Sequence, residues 1–373
     1  MKFKAAVYYG PHDIRVEKLD LPRAQDGIDG HGMVLKVGAC GICPIMDMPR
    51  WKKVTIDHAT PIVLGHEFSG EVVEVGPKVT AARVGDRIYG LTFRPCGRCQ
   101  ACKSGDVENC MHYPESTEGN YINGAMAEYM FFPYVIGNKL VKLPPDLTYR
   151  DGSLLEPLCL SAGLANKAKK GDVVVIIGQD IMGLGIVAFL KEKGLASKVI
   201  VSDVSKIRLD AARELGADVV VNELKEDLYE VVAEVSGHDK AEKLQGGGAD
   251  VVIETSGRSV NIQMSIDVVK PRGQIWLATF YDEGPFMFDP SVQVPGRARS
   301  NLSQKGGAPM QCAWGTLGPW VPRLEESIRL MQSGKLNATR YVNQVFPLDK
   351  IKEAFETAID PHKSIKTVIE PWM

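Results

Sequence analysis

The spacing of apolar positions divides this chain into two parts of different character. Through residue 158 the apolar runs are short or alternate with polar residues, and glycines and prolines separate them. Such a pattern is typical of β-strands joined by loops. Strands are predicted at 5–8, 33–37, 70–75 and 87–89. We therefore expect this part to form a Gly-rich, partly closed β-barrel.

From about residue 160 strands alternate with helices. Residues 173–177 are a continuous apolar run, which favours a strand buried on both faces. The predicted elements that follow are helices at 181–193, 205–215 and 260–269 and strands at 198–202, 217–221, 250–254 and 274–278. This alternation predicts a parallel, doubly wound sheet. In the tail, helices are predicted at 322–333 and 348–358.

The fold class predicted from these patterns is α/β with two domains, since 373 residues exceed one ordinary hydrophobic core. The β-rich domain is expected to be discontinuous, with residues 1–158 and 299–373. The domain with alternating strands and helices, residues 159–298, is inserted between its two parts.

Charge and composition exclude some classes of partner. The net charge of -2 gives no global reason to expect nucleic acid or an anionic membrane. No apolar run approaches the roughly 18–20 residues of a membrane span, and the first residues do not resemble a signal peptide. We expect a cytoplasmic protein with reduced thiols, and neither a nucleic-acid nor a membrane partner.

The most specific motif is a cluster of four cysteines with the spacing C-x2-C-x2-C-x7-C. Its members are Cys96, Cys99, Cys102 and Cys110. A structural zinc takes four such thiolates in a tetrahedron, and its binding free energy can order a polar loop that has no core of its own. Two disulfides are the alternative, but tight cysteine pairs in a chain without a secretion signal favour metal.

A second metal site is predicted from residues dispersed along the chain. The candidate ligands are Cys43, His66, Glu67 and Glu156. One cysteine, one histidine and carboxylates, with a position left for water or substrate, are typical of a catalytic zinc. A single buried histidine is more often an ordinary core residue, so this prediction depends on finding all four candidate ligands together.

A strand, a glycine turn and a helix suggest a dinucleotide site at 178–183. Gly178 and Gly183 have the spacing of the G-x-G-x-x-G fingerprint, and the backbone of Ile181 and Met182 begins the helix that receives a pyrophosphate. The middle glycine, which normally lets the pyrophosphate approach, is replaced by Asp180. That carboxylate either faces the phosphates as a like charge or turns away and caps the helix.

The residue at the end of the second predicted strand indicates which cofactor is used. Asp203 lies 20 residues beyond Gly183, where an acid binds the adenosine ribose hydroxyls and repels a 2′-phosphate. NAD is therefore predicted over NADP, although the nearby Arg208 and Lys206 temper the preference. An ordinary βαβ unit, with Asp203 as a helix N-cap, is the alternative.

Several motifs together resemble a known family. They are Cys40-Gly41-Ile42-Cys43, the 65–72 stretch GHEFSGEV, Val84-Gly85-Asp86-Arg87, the cysteine cluster and Leu155-Glu156-Pro157-Leu158. In this order and spacing they resemble the zinc-dependent medium-chain dehydrogenases/reductases, the alcohol dehydrogenase family. Within it the chain is most similar to the branch of sorbitol, threonine and 2,3-butanediol dehydrogenases.

The resemblance implies a GroES-like catalytic domain, a Rossmann domain and hydride transfer between NAD(P) and an alcohol or carbonyl at zinc. By motif match it makes Cys43, His66 and Glu67 the inner ligands, with Glu156 as a fourth carboxylate, direct or through water. We expect an NAD-dependent zinc alcohol dehydrogenase with one catalytic and one structural zinc. It would act on a small polyol, hydroxyacid or related alcohol, as a homodimer or homotetramer.

Two other departures from the family pattern affect the expected chemistry. Ile45 and Met48 occupy the positions where the family has Ser or Thr and often His, which relay the alcohol proton. Asp47, Glu156 or zinc-bound water must then carry the proton. Residues 294–319 look longer than in relatives, and Arg297 and Arg299 there suggest an anionic substrate. A solvated loop or a subunit contact explains that segment equally well.

The absence of the family's proton-relay residues and the altered glycine fingerprint are also consistent with other functions. One is a non-catalytic protein that binds NAD and zinc, and another is a reductase of a larger anionic acyl substrate. A zinc-free quinone or enoyl reductase is disfavoured because Cys43, His66, Glu67 and Glu156 are all retained.

Overall fold

The computed structural model describes residues 1–52, 60–90, 99–104, 110–111, 123–135, 140–238, 247–279, 281, 310–312 and 320–373. These residues divide into two compact units. The first comprises Met1–Glu156, Asn337–Asp360 and Lys366–Met373, and the second comprises Pro157–Leu336 and Pro361–Ile365. Within the described residues no helix is long and apolar enough to cross a membrane.

The strands of the described residues are, in chain order, β1 (Lys2–Gly10), β2 (Asp13–Asp20), β3 (Met33–Gly41), β4 (Ile62–Val63), β5 (Glu67–Val75), β6 (Arg87–Tyr89), β7 (Tyr129–Phe132), β8 (Val141–Lys142), β9 (Asp172–Ile177), β10 (Ala196–Asp203), β11 (Val219–Asn222), β12 (Ala249–Glu254), β13 (Val269–Leu277), β14 (Met310–Cys312), β15 (Gln344–Phe346) and β16 (Thr367–Ile369). The α-helices are α1 (Asp47–Trp51), α2 (Gln100–Lys103), α3 (Tyr149–Gly152), α4 (Leu155–Ala165), α5 (Ile181–Lys193), α6 (Lys206–Glu214), α7 (Leu228–Ser236), α8 (Val260–Val268), α9 (Trp320–Gln332), α10 (Ala338–Tyr341) and α11 (Ile351–Ala358).

The first unit is built on two sheets. β1 pairs antiparallel with β2 and β4, and the larger sheet has the order β15-β16-β3-β5-β6-β8, with β7 also paired to β3. Alternating apolar residues of β3 and β5, such as Leu35 and Phe68, are buried in its core. The pairing of β3 with β5 sets Gly41 opposite Glu67, which fixes where the segments beyond these strand ends meet.

The second unit contains a parallel sheet of order β11-β10-β9-β12-β13-β14. The strands run outward in both directions from β9, so the strand order reverses between β9 and β12. Ligands of doubly wound sheets bind at the carboxyl ends of the strands beside this reversal. The apolar run predicted at 173–177 is β9, whose last four residues are buried.

The chain returns to the first unit later than predicted. We placed residues 299–373 with the first domain, but the described residues between 310 and 336 belong to the second unit. The physical reason is that β14 extends the parallel sheet beside β13, and Lys193 of α5 forms an ion pair with Glu326 of α9. The first unit resumes at Asn337, and its first segment ends at Glu156 rather than at 158.

Candidate functional site

Cys43, His66 and Glu67 are brought together by the register of two antiparallel strands. Cys43 follows the end of β3, while His66 immediately precedes β5, and Gly41 of β3 lies opposite Glu67. One ligand atom from each of the three residues lies within 4.8 Å of the others. A thiol, an imidazole and a carboxylate at this separation form a donor set suited to zinc.

Two glycines leave the space that this cluster requires. A Cβ at Gly41 would lie 2.3 Å from Glu67 Oε2, so any side chain there would displace the carboxylate. Gly65 has a φ of +100°, and its Cβ would lie 2.6 Å from Cys40 Sγ. The chain can therefore bend into His66 only with glycine at position 65.

The environment of the cluster matches what a divalent cation needs. Burial, together with the positive charges of Lys366 and Arg50, lowers the pKa of His66 to about 3, so its imidazole is neutral and able to coordinate. Burial, followed by the charges of Glu67 and Asp47, raises the pKa of the Cys43 thiol well above its usual value. A bound cation reverses that effect by stabilising the thiolate. The residues present therefore fit zinc.

Lys366 is a buried partner of the metal-donor cluster that sequence reasoning missed. It immediately precedes β16, which pairs with β3 so that Val368 lies opposite Gly41. Its Nζ donates to Glu67 Oε2 and, at 2.9 Å, to the carbonyl of Ile42. Both side chains of the ion pair are only 1% exposed. The sequence signal was a single lysine in the otherwise uncharged stretch from Ser364 to Ile369.

The predicted proton carrier Asp47 also lies beside this cluster. Its Oδ2 accepts the backbone N–H of Cys43 at 2.9 Å, and its Oδ1 has no hydrogen-bond partner among the described residues. Burial raises the pKa of this carboxyl to about 7. An acid of this kind changes its protonation near neutral pH.

Glu156 does not join the three-residue ligand group. It is buried in the first turn of α4, and its charge is one of those that raise the pKa of Cys43. Three of the four predicted ligands therefore meet, with the fourth carboxylate within electrostatic range. The direct role of Glu156 stays a prediction.

The positions of the family's proton relay are apolar and buried. Ile45 and Met48 are 4% and 5% exposed, and Met48 packs in the core of the first unit. Neither side chain can donate or accept a proton.

The cysteine cluster is described in part. Cys99 Sγ and Cys110 Sγ lie 3.9 Å apart, far beyond disulfide length. Two thiolates bound to one tetrahedral zinc at about 2.3 Å would be separated by about 3.8 Å. Cys96 and the side chain of Cys102 lie outside the described residues, as do Arg297 and Arg299, so the four-cysteine site stays a prediction.

The glycines of the turn after β9 have the conformations that the predicted dinucleotide site requires. Gly178 has a φ of +93°, and a Cβ there would lie 2.7 Å from Ser256 N. A Cβ at Gly183 would lie 2.1 Å from the carbonyl oxygen of Gly178, so helix and strand pack closely only with glycine. Asp203 ends β10, and its Oδ2 accepts the N–H of Gln179 at 2.7 Å.

Arg208 accompanies Asp203 at this strand end. Its Nη1 lies 3.9 Å from Asp203 Oδ2, and its Nε donates to the carbonyl of Ser364. Ser205 is the N-cap residue of α6, and Asp203 Oδ1 accepts its N–H. Asp203 thus braces the turn, and the lone pairs that remain on its oxygens can accept ribose hydroxyls.

Asp180 caps α5. Its Oδ1 accepts the N–H groups of Met182 at 2.9 Å and Gly183 at 3.2 Å. Of the two orientations that the sequence left open, the structure has the helix cap.

Comparison with known proteins shows the family. Residues 29–145 match the family model of the alcohol dehydrogenase GroES-like domain, and residues 182–301 match that of the zinc-binding dehydrogenase. The chain is 31% identical to sorbitol dehydrogenase of Bombyx mori, over 95% of this chain and 94% of that protein. The chain belongs to the zinc-dependent medium-chain dehydrogenase family.

Two other members are similarly related. The chain is 31% identical to D-arabitol-phosphate dehydrogenase of Enterococcus avium, over 94% of this chain and 92% of that protein. It matches the structure of 2R,3R-butanediol dehydrogenase from Bacillus subtilis with a TM-score of 0.77 and 26% identity, over 99% of each chain. The predicted GroES-like and Rossmann fold, and the class of zinc-dependent oxidoreductase with a nicotinamide cofactor, are confirmed.

Proposed function

We propose that this chain interconverts a polyol-type secondary alcohol and its ketone with NAD(H), at a zinc held by Cys43, His66 and Glu67. The observation that carries the proposal is the meeting of these three donors within 4.8 Å in a member of this family. The relatives named for sorbitol, arabitol phosphate and butanediol support a substrate with more than one oxygen.

When bound, zinc stabilises negative charge that develops on the substrate oxygen, and the nicotinamide exchanges the hydride. The chain's own residues hold and orient the donors in a site shielded from water. The buried Lys366 fixes one oxygen of Glu67, and the carboxylate cannot swing away without breaking that ion pair. Such fixed charges act strongly because little solvent screens them.

Oxidation of the alcohol also releases a proton, which needs an acceptor. With Ile45 and Met48 in place of the relay, we assign this role to Asp47, whose Oδ1 has no hydrogen-bond partner among the described residues and whose pKa is raised by burial. A base with a pKa near the working pH is well suited to take a proton and return it. Asp47→Asn should retain zinc and lower turnover.

The cofactor preference follows from Asp203. Its carboxylate ends β10, and an acid at this position of a dinucleotide-binding fold can accept ribose hydroxyls and repel a 2′-phosphate. Because Arg208 lies close to it, part of this negative charge is neutralised. We propose NAD as the preferred cofactor, with some use of NADP.

One observation favours a second candidate substrate, a phosphorylated polyol. Arg50 of α1 is only 7% exposed, and its charge lowers the pKa of both Asp47 and His66. A guanidinium can bind a phosphate group, and a relative of this chain is named for a phosphorylated polyol, D-arabitol-phosphate dehydrogenase.

The test is a substrate screen followed through nicotinamide absorbance. Polyols, their phosphate esters, hydroxyacids and acyl thioesters are offered with NAD or NADH. Turnover of polyols supports the proposal, and a preference for the phosphate esters that Arg50→Met abolishes supports the second candidate. Zinc-loaded protein that turns over none of them would favour a non-catalytic role. We also propose a homo-oligomer in the cytoplasm, for which light scattering tests the dimer against the tetramer.

A further inference from the structure

The amide groups of the dinucleotide turn are already occupied by the chain's own carboxylates. Asp203 accepts the N–H of Gln179, and Asp180 accepts those of Met182 and Gly183. In doubly wound folds the N–H groups at the start of this helix point at the cofactor pyrophosphate. Three of the amide donors near that anion's expected position, those of Gln179, Met182 and Gly183, are therefore bound internally.

Asp180 is the residue at which this turn departs from the glycine fingerprint. Gly178 keeps the positive φ that the turn requires, and Gly183 keeps the close approach of helix to strand. Asp180 itself has an extended backbone, with φ of −72° and ψ of −170°, so its side chain rather than the backbone path differs from a glycine turn. It is 5% exposed and is held by two hydrogen bonds.

We propose that Asp180 is an internal anion that competes with the cofactor pyrophosphate and holds down dinucleotide affinity. This inference rests on the proposed function, because it assumes that NAD(H) binds at this turn. The cap orientation does not remove the conflict with the cofactor. For the pyrophosphate to use the N–H groups of Met182 and Gly183, the Asp180 carboxylate must first release them, and the released carboxylate then lies close to a like charge. Each interaction lost in this exchange reduces affinity several-fold.

The competition is specific to phosphate and not to the adenosine end of the cofactor. Asp203 and Arg208 hold the end of β10 through their own contacts, with the N–H groups of Gln179 and Ser205 and the carbonyl of Ser364. Removing the carboxylate should therefore tighten ligands that carry a pyrophosphate and leave adenosine alone. A matched control exists in Asp227, the exposed N-cap of α7, which accepts the N–H of Tyr229 at 2.8 Å.

The experiment measures dissociation constants of NADH, ADP-ribose and adenosine by calorimetry on zinc-loaded protein. Three variants, Asp180→Gly, Asp180→Asn and Asp227→Gly, are compared with the unaltered chain at low and high salt. Glycine and asparagine are tolerated N-caps, so each variant should fold, which thermal unfolding verifies. Asp180→Gly should tighten NADH and ADP-ribose by about tenfold and leave adenosine unchanged. The gain should shrink at high salt because charge repulsion is screened.

The other variants separate charge from hydrogen bonding. Asp180→Asn keeps a capping oxygen and removes the charge, so its gain should be smaller but present, whereas Asp227→Gly should change no affinity. Unchanged or weaker NADH binding by Asp180→Gly and Asp180→Asn overturns the inference while leaving the proposed function intact. If no variant binds NADH or ADP-ribose, both the inference and the proposed NAD-dependent activity are wrong.

Discussion

Replacing Lys366 with methionine should destabilise the first unit strongly. The substitution keeps the side-chain length and removes the positive charge that faces Glu67, where both side chains are 1% exposed. It also leaves the Ile42 carbonyl without its 2.9 Å donor. Breaking a buried pair by removing one partner costs about 3–5 kcal/mol, because the remaining charge is buried and uncompensated.

The assay is denaturant unfolding of the zinc-stripped protein, followed by circular dichroism, with the free energy of unfolding taken from the midpoint and slope. Lys142→Met is the matched control, since its ion pair with Asp86 has side chains that are 63% and 18% exposed. That change should cost below about 1 kcal/mol. Adding Glu67→Gln to Lys366→Met should recover much of the loss by removing the stranded charge.

Zinc provides a second readout of the same interaction. A bound dication supplies the positive charge that Lys366→Met removes, so zinc should stabilise the variant more than the unaltered protein. A loss no larger than that of Lys142→Met, or the same stabilisation by zinc in both proteins, would refute the reasoning.

Three further changes test other parts of the account. Cys99→Ser should lower the thermal stability of the protein and release one zinc per chain; unchanged zinc content would count against the structural site. Asp203→Ala should weaken NAD binding by about 1–3 kcal/mol and NADP binding less, as measured by titration; equal losses for both would contradict the assigned preference. Burial raises the pKa of Glu254 to about 7. Protonated Glu254 therefore contributes roughly 3 kcal/mol to the free energy of unfolding at a pH below its unfolded-state pKa of about 4.5. This contribution is lost as the pH rises through 7. Glu254→Gln should flatten the decline in unfolding free energy over that pH range, and an unchanged profile would show that the carboxyl does not titrate there.

The second unit was the more predictable part of the fold, because its strands are buried on both faces and carry continuous apolar runs. Helix α5 (Ile181–Lys193) has the bounds predicted from the pattern, and β9 extends the predicted strand by one residue. β13 begins at Val269, five residues before the predicted start. The prediction missed this first part of the strand because the sequence there, through Arg272 and Gly273, is less apolar. β2 (Asp13–Asp20) was missed, since five of its eight residues are charged.

The metal donors could be found from the sequence because their chemistry is unusual. The buried lysine that holds one of these donors could not. Cys43 and His66 belong to motifs, but Lys366 meets Glu67 only through the pairing of strands almost 300 residues apart in the chain. The uncharged stretch around Lys366 marks that lysine as unusual, but lysines are so rarely buried that this pattern alone does not identify it as the partner of Glu67. For Asp180 the sequence offered two orientations, and the choice depends on a side-chain conformation that only the structure provides.

The most direct test of the central claim is metal analysis joined to polyol-dependent formation of NADH, for the unaltered chain and for Cys43→Ala. The account predicts that the unaltered chain holds two zincs and turns over a polyol. Cys43→Ala should keep its fold and one zinc and lose turnover, because the donor set at Cys43, His66 and Glu67 is broken. Full activity with unchanged zinc content in Cys43→Ala would contradict the assignment of the catalytic site.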